Sequence, residues 1–376
     1  MDKYWLYVVL AFALSLLSGF VMMPRIVDFC MKRKLYDMPN ERKVHHAAIP
    51  RLGGVAFIPS MFTAFIISLY VYGYVTDKMP IGISMWTASF VVSMFMIYIF
   101  GVVDDVVGLG PNLKFLVQIV AASLLPICDL YINDLYGFCG INSIPFWIGA
   151  PLTVLVIVFI DNAINLIDGI DGLAGGLALI SLAGFLVCFG REHVWTYCVL
   201  IAGLMGVLCA YLYFNVWGSV ERHHKIFMGD SGSLTLGFVL GFLVVKFAMN
   251  STTVMPYRSD GLLLAYTLLI VPCFDVVRVI IVRLRVGQPL FKADKRHIHH
   301  KLLRLGLTQK KSLAVILSLQ LLFVAVNTLL NGLVDITAIV AIDIAAFAAF
   351  HYAVDVATRR KKTELSQSTE NADGQP

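Results

Sequence analysis

Apolar residues in this sequence fall in long blocks rather than at alternating or helical spacing. Blocks of roughly 18 or more apolar residues read as membrane-spanning helices. Only 14% of the 376 residues are charged and 59% are hydrophobic. A soluble domain carries about 25% charged residues. The fold class that follows is an all-α polytopic membrane protein. Eleven spans are expected, at about 4–23, 52–74, 82–103, 114–133, 147–162, 171–189, 195–216, 231–249, 261–282, 312–331 and 334–356. The first block has only Lys3 before it and no small-residue cleavage site after it, so it reads as a retained span. Residues 1–357 read as one transmembrane domain. Residues 358–376 are polar, begin with Arg359-Arg360-Lys361-Lys362 after Thr358, and read as a disordered tail.

Basic residues orient the bundle. Segment 24–51 holds seven Lys and Arg, segment 283–311 holds nine and the tail holds four. The opposite connections carry Lys3, Lys78, Arg191 and Arg258. The N-terminus is therefore expected outside and the C-terminus in the cytoplasm, a parity that eleven crossings satisfy. The net charge of +5 is then cytoplasmic basicity, suited to anionic lipid headgroups and phosphorylated substrates rather than to nucleic acid. The seven cysteines lie mostly in apolar blocks and show no zinc-ligand spacing.

With that orientation, every unusual polar cluster falls on the cytoplasmic side. These are RKVHHAAIPRLGG (42–54), GVVDDVVGLG (101–110), DNAINLIDGIDGL (161–173), HHKIFMGDSGS (223–233) and FKADKRHIHH (291–300). Asp171 and the Asp230-Ser231 pair could serve simply as N-caps. Asp104 and Asp105 fit that reading poorly, because they end a helix where the macrodipole disfavours anions. A bound cation or a cationic partner would remove the conflict. Asp161 and Asp168 sit in apolar sequence, where ionisable groups are functional candidates by default. Carboxylates with an Asn nearby are hard oxygen ligands and suit Mg²⁺ or Mn²⁺ rather than zinc. Lys114, Lys225, Arg296 and the histidines could hold phosphate oxygens. Three histidines in four residues, His297, His299 and His300, lack an obvious soft fourth ligand for zinc. Their neighbours Lys295, Arg296 and Lys301 favour an anion. Together these features suggest phosphoryl chemistry between a nucleotide-linked donor and a lipid acceptor.

The motifs RK-x-H…IP-x-x-GG (42–54), DD (104–105), NAINLIDGIDGL (162–173), FMGDSGS (227–233) and HIHH (297–300) carry a family pattern. The chain resembles the polyprenyl-phosphate N-acetylhexosamine-1-phosphate transferases, in the WecA/TagO-like branch related to MraY. The resemblance runs from about Arg25 to Leu307. It implies transfer of a sugar 1-phosphate from a UDP-sugar to undecaprenyl phosphate with release of UMP. It also implies Mg²⁺, a bacterial inner-membrane location and initiation of a lipid-linked surface glycan.

By the same resemblance Asp230 is the principal metal ligand, with Asp104 and Asn165 beside it. Asp104, Asp105 and Asp168 are the catalytic acids, one of the first two being a candidate base. Asp171 and Phe227 are placed for the uracil, Lys114 for a phosphate, and Arg296, His297, His299 and His300 for the sugar and its phosphate. His45 belongs to a matching motif and is counted with the substrate-binding residues. His297-Ile298-His299-His300 differs from the three consecutive histidines of enzymes using UDP-MurNAc-pentapeptide, which makes UDP-GlcNAc the leading donor. UDP-GalNAc and deoxy-aminosugar donors stay open, as does a homodimer. An ion-coupled transporter is the rival reading, with Asp275, Arg278, Lys246 and Asp343 as its residues. The one-sided placement of the carboxylates and the lack of a repeat argue against it. The CDP-alcohol phosphotransferases need an Ala-Arg pair that does not follow Asp171-Gly172.

Overall fold

The computed structural model describes residues 4–37, 48–76, 84–252, 255–288 and 296–373. The chain is an all-α polytopic membrane protein. Its helices are α1 (Tyr4–Arg33), α2 (Phe57–Thr76), α3 (Met85–Val107), α4 (Pro111–Ile127), α5 (Phe146–Ile167), α6 (Leu173–Arg191), α7 (Trp195–Val216), α8 (Asp230–Ala248), α9 (Gly261–Thr267), α10 (Ile270–Arg285), α11 (Ile298–Arg304), α12 (Gln309–Leu330) and α13 (Ile336–Asp373). Nine helices among the described residues are long and apolar enough to span a membrane, and the bent pair α9–α10 would make a tenth. The two short strands β1 (Tyr36–Asp37) and β2 (Ile49–Pro50) pair antiparallel.

Helix α8 is the axis of the bundle: every residue from Ser231 to Ala248 is buried. Helices α3 and α5 flank it, with α6 and α9 completing the wall. Lipid supplies no hydrophobic drive between helices, so small residues that admit close backbones do that work. Gly237 is such a point. A Cβ there would lie 2.5 Å from the Cα of Asp161 on α5. This close approach sets the depth at which α5 meets α8, and so where Asn165, one turn further along α5, faces Asp230.

Three expectations need correction. Helix α1 does not end near Met23 but continues through Pro24 to Arg33. Met23, Val27 and Cys30 recur on its buried face at helical spacing, so the extension packs. The span expected at 261–282 is two helices bent by 71°. Pro272 is the cause. It has no N–H to give the Leu268 carbonyl four residues back, and Ser181 Oγ donates to that carbonyl instead, at 2.6 Å. Gln320 of α12 bridges the next gap, accepting from Val271 N–H (3.1 Å) and donating to the Thr267 carbonyl (2.9 Å). Finally, α13 runs on to Asp373 through most of the segment expected as a disordered tail. No Gly or Pro interrupts the sequence until Gly374.

Candidate active site

The acidic pair at the end of α3 points into the protein. Asp104 and Asp105 are 3% and 4% exposed. The conflict with their helix dipole is resolved twice over. Asp105 accepts the backbone N–H of Asp230 (2.8 Å) and of Ser231 (2.9 Å), one on each oxygen. It thereby caps the N-terminus of α8, where a carboxylate is favoured. Asp104 accepts from Leu109 N–H at 2.6 Å and lies 2.5 Å from Lys114 Nζ. The same ammonium lies 2.8 Å from Asp230 Oδ2. The other Asp230 oxygen accepts from Asn165 Nδ2 at 2.6 Å, and Asn165 also donates to Ser233 Oγ at 2.8 Å. Residues 126 positions apart, Asp104 and Asp230, thus converge on one cation.

Asp230 opens into a cavity of about 460 Å³. Asp105, Asn165, Asp168, Asp171, Phe227 and His300 share its wall. Asp168, on the loop that follows α5, is solvent-exposed on the cavity wall. Desolvation by the surrounding protein, then repulsion from Asp230 and Asp171, pushes its carboxyl up to about 7. Asp171 is held by Lys225 Nζ at 2.6 Å, and the same ammonium donates to the Asn215 carbonyl. Asn215 Oδ1 accepts Gly172 N–H at 2.6 Å. The loop after α5 is therefore latched to the end of α7. On the far wall, Gly53 and Gly54 donate to the carbonyls of Phe227 and Met228, and Phe227 N–H returns a bond to Pro50. The IP-x-x-GG segment is a brace for the FMGDSGS segment. His45 lies outside the described residues.

The histidine segment is arranged differently from the expectation. Of its members, only His300 lines the cavity among the described residues; Arg296, His297 and His299 do not. His297 Nδ1 meets Asp275 Oδ2 at 2.8 Å. The Arg296 carbonyl accepts from Arg278. His299 is 1% exposed and wedged against Gly169, where a Cβ would lie 2.1 Å from its Nε2. Burial, then the neighbouring His300 and His297, lowers its pKa to about 3, so it is neutral. Gly169 thus has a packing reason: no side chain fits between the loop after α5 and His299.

Sequence reasoning passed over Arg51, the lining residue with a permanent positive charge among the described residues. It occupies one of the two variable places in IP-x-x-GG, which hid it. Tyr211, Asn215, Ser233 and Gln309 also line the cavity. Ser233 closes the FMGDSGS motif, whereas only their approach in space marks Tyr211, Asn215 and Gln309. Asp161, by contrast, is buried behind the cavity against Gly237.

The donor set suits a hard divalent cation. Asp104 and Asp230 already share one cationic atom, and Asn165 stands beside them. Among the described residues no three His, Cys, Asp or Glu form a metal-binding cluster.

Known proteins resemble this chain in sequence. The model of "Glycosyl transferase family 4" matches residues 87–248, which contain the acidic motifs, Lys114, Asn165, Lys225 and Phe227 but not the first brace, Asp275, Arg278, the histidine segment or Gln309. A Bacillus subtilis protein named "Probable undecaprenyl-phosphate N-acetylglucosaminyl 1-phosphate transferase" is 33% identical over 335 residues, covering 86% of this chain and 85% of that protein. The "Undecaprenyl-phosphate alpha-N-acetylglucosaminyl 1-phosphate transferase" of Escherichia coli K12 is 28% identical over 75% of this chain and 72% of its own length. The Yersinia pestis protein of that name is 26% identical over 76% and 74%. With similarity extending over most of both chains, and with its acidic motifs gathered at one cavity, this chain belongs to the polyprenyl-phosphate N-acetylhexosamine-1-phosphate transferases.

Proposed function

We propose that the protein transfers N-acetylglucosamine 1-phosphate from UDP-GlcNAc to undecaprenyl phosphate, releasing UMP. The observation that carries this reading is the convergence of Asp104 and Asp230 on one cation at the edge of a cavity. Asn165 and Asp168 stand beside them, and all of them share one end of the bundle. The names of the relatives supply the acceptor and the sugar phosphate.

Eleven crossings follow if the nine long helices, the bent pair and the shorter α4 all span. The N-terminus is then outside, and the cavity faces the cytoplasm of a bacterial inner membrane, the side of the basic loops. UDP-sugars are cytoplasmic substrates, so this orientation suits the reaction.

The uracil end of the donor is assigned to the Asp171–Phe227 side of the cavity, with Phe227 for stacking and Asp171 for hydrogen bonding. The sugar is assigned to the His300 side. Arg51 and Lys114 are the cations available to phosphate oxygens. Lys114 neutralises Asp104 and Asp230; with a divalent ion held by those acids, its ammonium would be available to the donor diphosphate. Asp230, Asp104 and Asn165 would hold that metal, Mg²⁺ or Mn²⁺. Bound there, it supplies charge neutralisation of the donor diphosphate and of the leaving phosphate.

The acceptor phosphate is already ionised near neutral pH. It needs approach to another anion more than it needs a base. An acceptor oxygen forms a bond to the β-phosphorus of the donor. The bond from that phosphorus to the bridging oxygen breaks, and UMP leaves with that oxygen. Asp168 faces the same space and is the residue placed to manage a proton there. Asp105 supports the site by fixing the start of α8.

The test uses purified full-length protein with labelled UDP-GlcNAc, undecaprenyl phosphate and Mg²⁺. Label should enter the lipid phase with one UMP released per sugar transferred. Transfer from UDP-GalNAc instead would change the donor, and inertness toward every UDP-aminosugar would overturn the reading.

A further inference from the structure

Asp275 of α10 has no place on the cavity wall, yet it is 0% exposed inside a membrane protein. An acid buried in this way is costly and calls for partners. Three groups converge on it. His297 Nδ1 lies 2.8 Å from Oδ2, Ile298 N–H donates to Oδ1 at 3.0 Å, and Arg278 donates to Oδ1 at 2.9 Å. Arg278 also donates to the Arg296 carbonyl. One Asp–Arg pair, a single turn of α10, therefore holds three consecutive residues, 296–298.

The geometry has a direction. Ile298 is the first residue of α11, so Asp275 caps that helix from a different one. At the other side of the short helix, Lys301 pairs with Asp355 of α13 at 2.8 Å. His300 lies between these two anchors and is the histidine of the segment that reaches the cavity. With Nδ1 engaged by a carboxylate, the His297 ring is fixed in orientation. A purely packing role would need neither the charge nor the backbone bond to Ile298.

We propose that Asp275, assisted by Arg278, is a positioning residue for the sugar-nucleotide donor. It fixes residues 296–298 so that His300 faces the cavity. This inference rests on the function proposed above. It predicts a selective effect on one of the two substrates, since the acceptor phosphate is not assigned to this segment.

Two measurements on the full-length enzyme decide it. The first is steady-state kinetics of Asp275→Asn and Asp275→Ala. Losing a charged buried hydrogen bond should raise the KM for UDP-GlcNAc about tenfold or more, with the KM for undecaprenyl phosphate changed about twofold or less. Asp275→Asn, which keeps an acceptor for Ile298, should be the milder variant. The second is carbethoxylation of histidines by diethyl pyrocarbonate, read by mass spectrometry. His297 and His299 are buried, and Asp275→Ala should speed their labelling several-fold. Labelling of the exposed His193 and His223 should not change.

An unchanged donor KM in an active enzyme overturns the proposal, as does a fall in kcat with both KM values intact. Labelling needs no turnover. If the wild type is inert toward every UDP-aminosugar, the function reading fails and the labelling alone decides the positioning, with unchanged rates at His297 and His299 overturning it; if another UDP-aminosugar is the donor, its KM is the one read.

Discussion

Asp230 and Asp343 are both acids in apolar helices, and the protein treats them in opposite ways. Asp230 begins α8, with its side chain 28% exposed at the cavity and a lysine ammonium 2.8 Å away. Asp343 lies within α13, is 1% exposed, and accepts from Tyr266 Oη at 3.0 Å and Asn327 Nδ2 at 2.8 Å. The first acid is balanced by a partly exposed lysine beside open space, so its partner can be exchanged for a ligand. The second is enclosed by neutral donors and has no space to exchange anything. Both answer the cost of an acid in a membrane. What distinguishes a binding acid from a stitching acid is access.

The sharpest way to break this comparison is to neutralise each. Asp230→Asn should cut kcat by about 10³-fold or more, on the scale of losing a preorganised electrostatic group. Its thermal midpoint in detergent should stay near that of the wild type. Asp343→Leu should do the reverse. It removes the acceptor of the Tyr266 hydroxyl and one of two acceptors of the Asn327 amide, which keeps its bond to Thr267 Oγ1 (3.0 Å), at about 1–3 kcal/mol for the group left unpaired. A lowered thermal midpoint with the specific activity of folded protein within about twofold is the expected result. Loss of stability and activity in step for both variants would erase the distinction.

The smallest effect sharpens it further, because access also governs titration. Asp168 has a folded pKa of about 7, raised by the desolvating protein around the cavity and then by Asp230 and Asp171, an effect that solvent at its exposed edge keeps small in stability. An unfolded aspartate titrates near about 3.9. Between those two values the folded state holds the extra proton, so stability falls as pH rises through that window. Asp168→Asn should therefore raise the thermal midpoint of the substrate-free protein at about pH 8 and leave it unchanged near about pH 4. An equal shift at both values would place the cause elsewhere than in charge.

Part of this site could be read directly from the chain. Asp104 and Asp105 were conspicuous because they stand where their own helix repels them, and the sequence shows that conflict without coordinates. The remedy was not legible. Asp105 answers it with the start of a helix that begins 125 residues later, and Asp104 with a lysine on the next helix. The histidines illustrate the opposite outcome. The family resemblance assigned all three to the sugar and its phosphate, whereas packing against Asp275 and Gly169 leaves only His300, among the described histidines of the segment, at the cavity. The break between α9 and α10 had a local signal in Pro272, but Gln320, which fills the gap, lies 49 residues beyond Val271.

By itself the sequence determined a polytopic all-helical chain, the one-sided charge and the kinds of chemistry its polar clusters could support. These depend on block length and on local composition, which need no partner to be read. Which acid meets a cation, which caps a helix and which merely ties two helices together was decided in three dimensions. A carboxylate's role is set by the donors and the open volume within a few ångströms of it, and here those come from helices far apart along the chain.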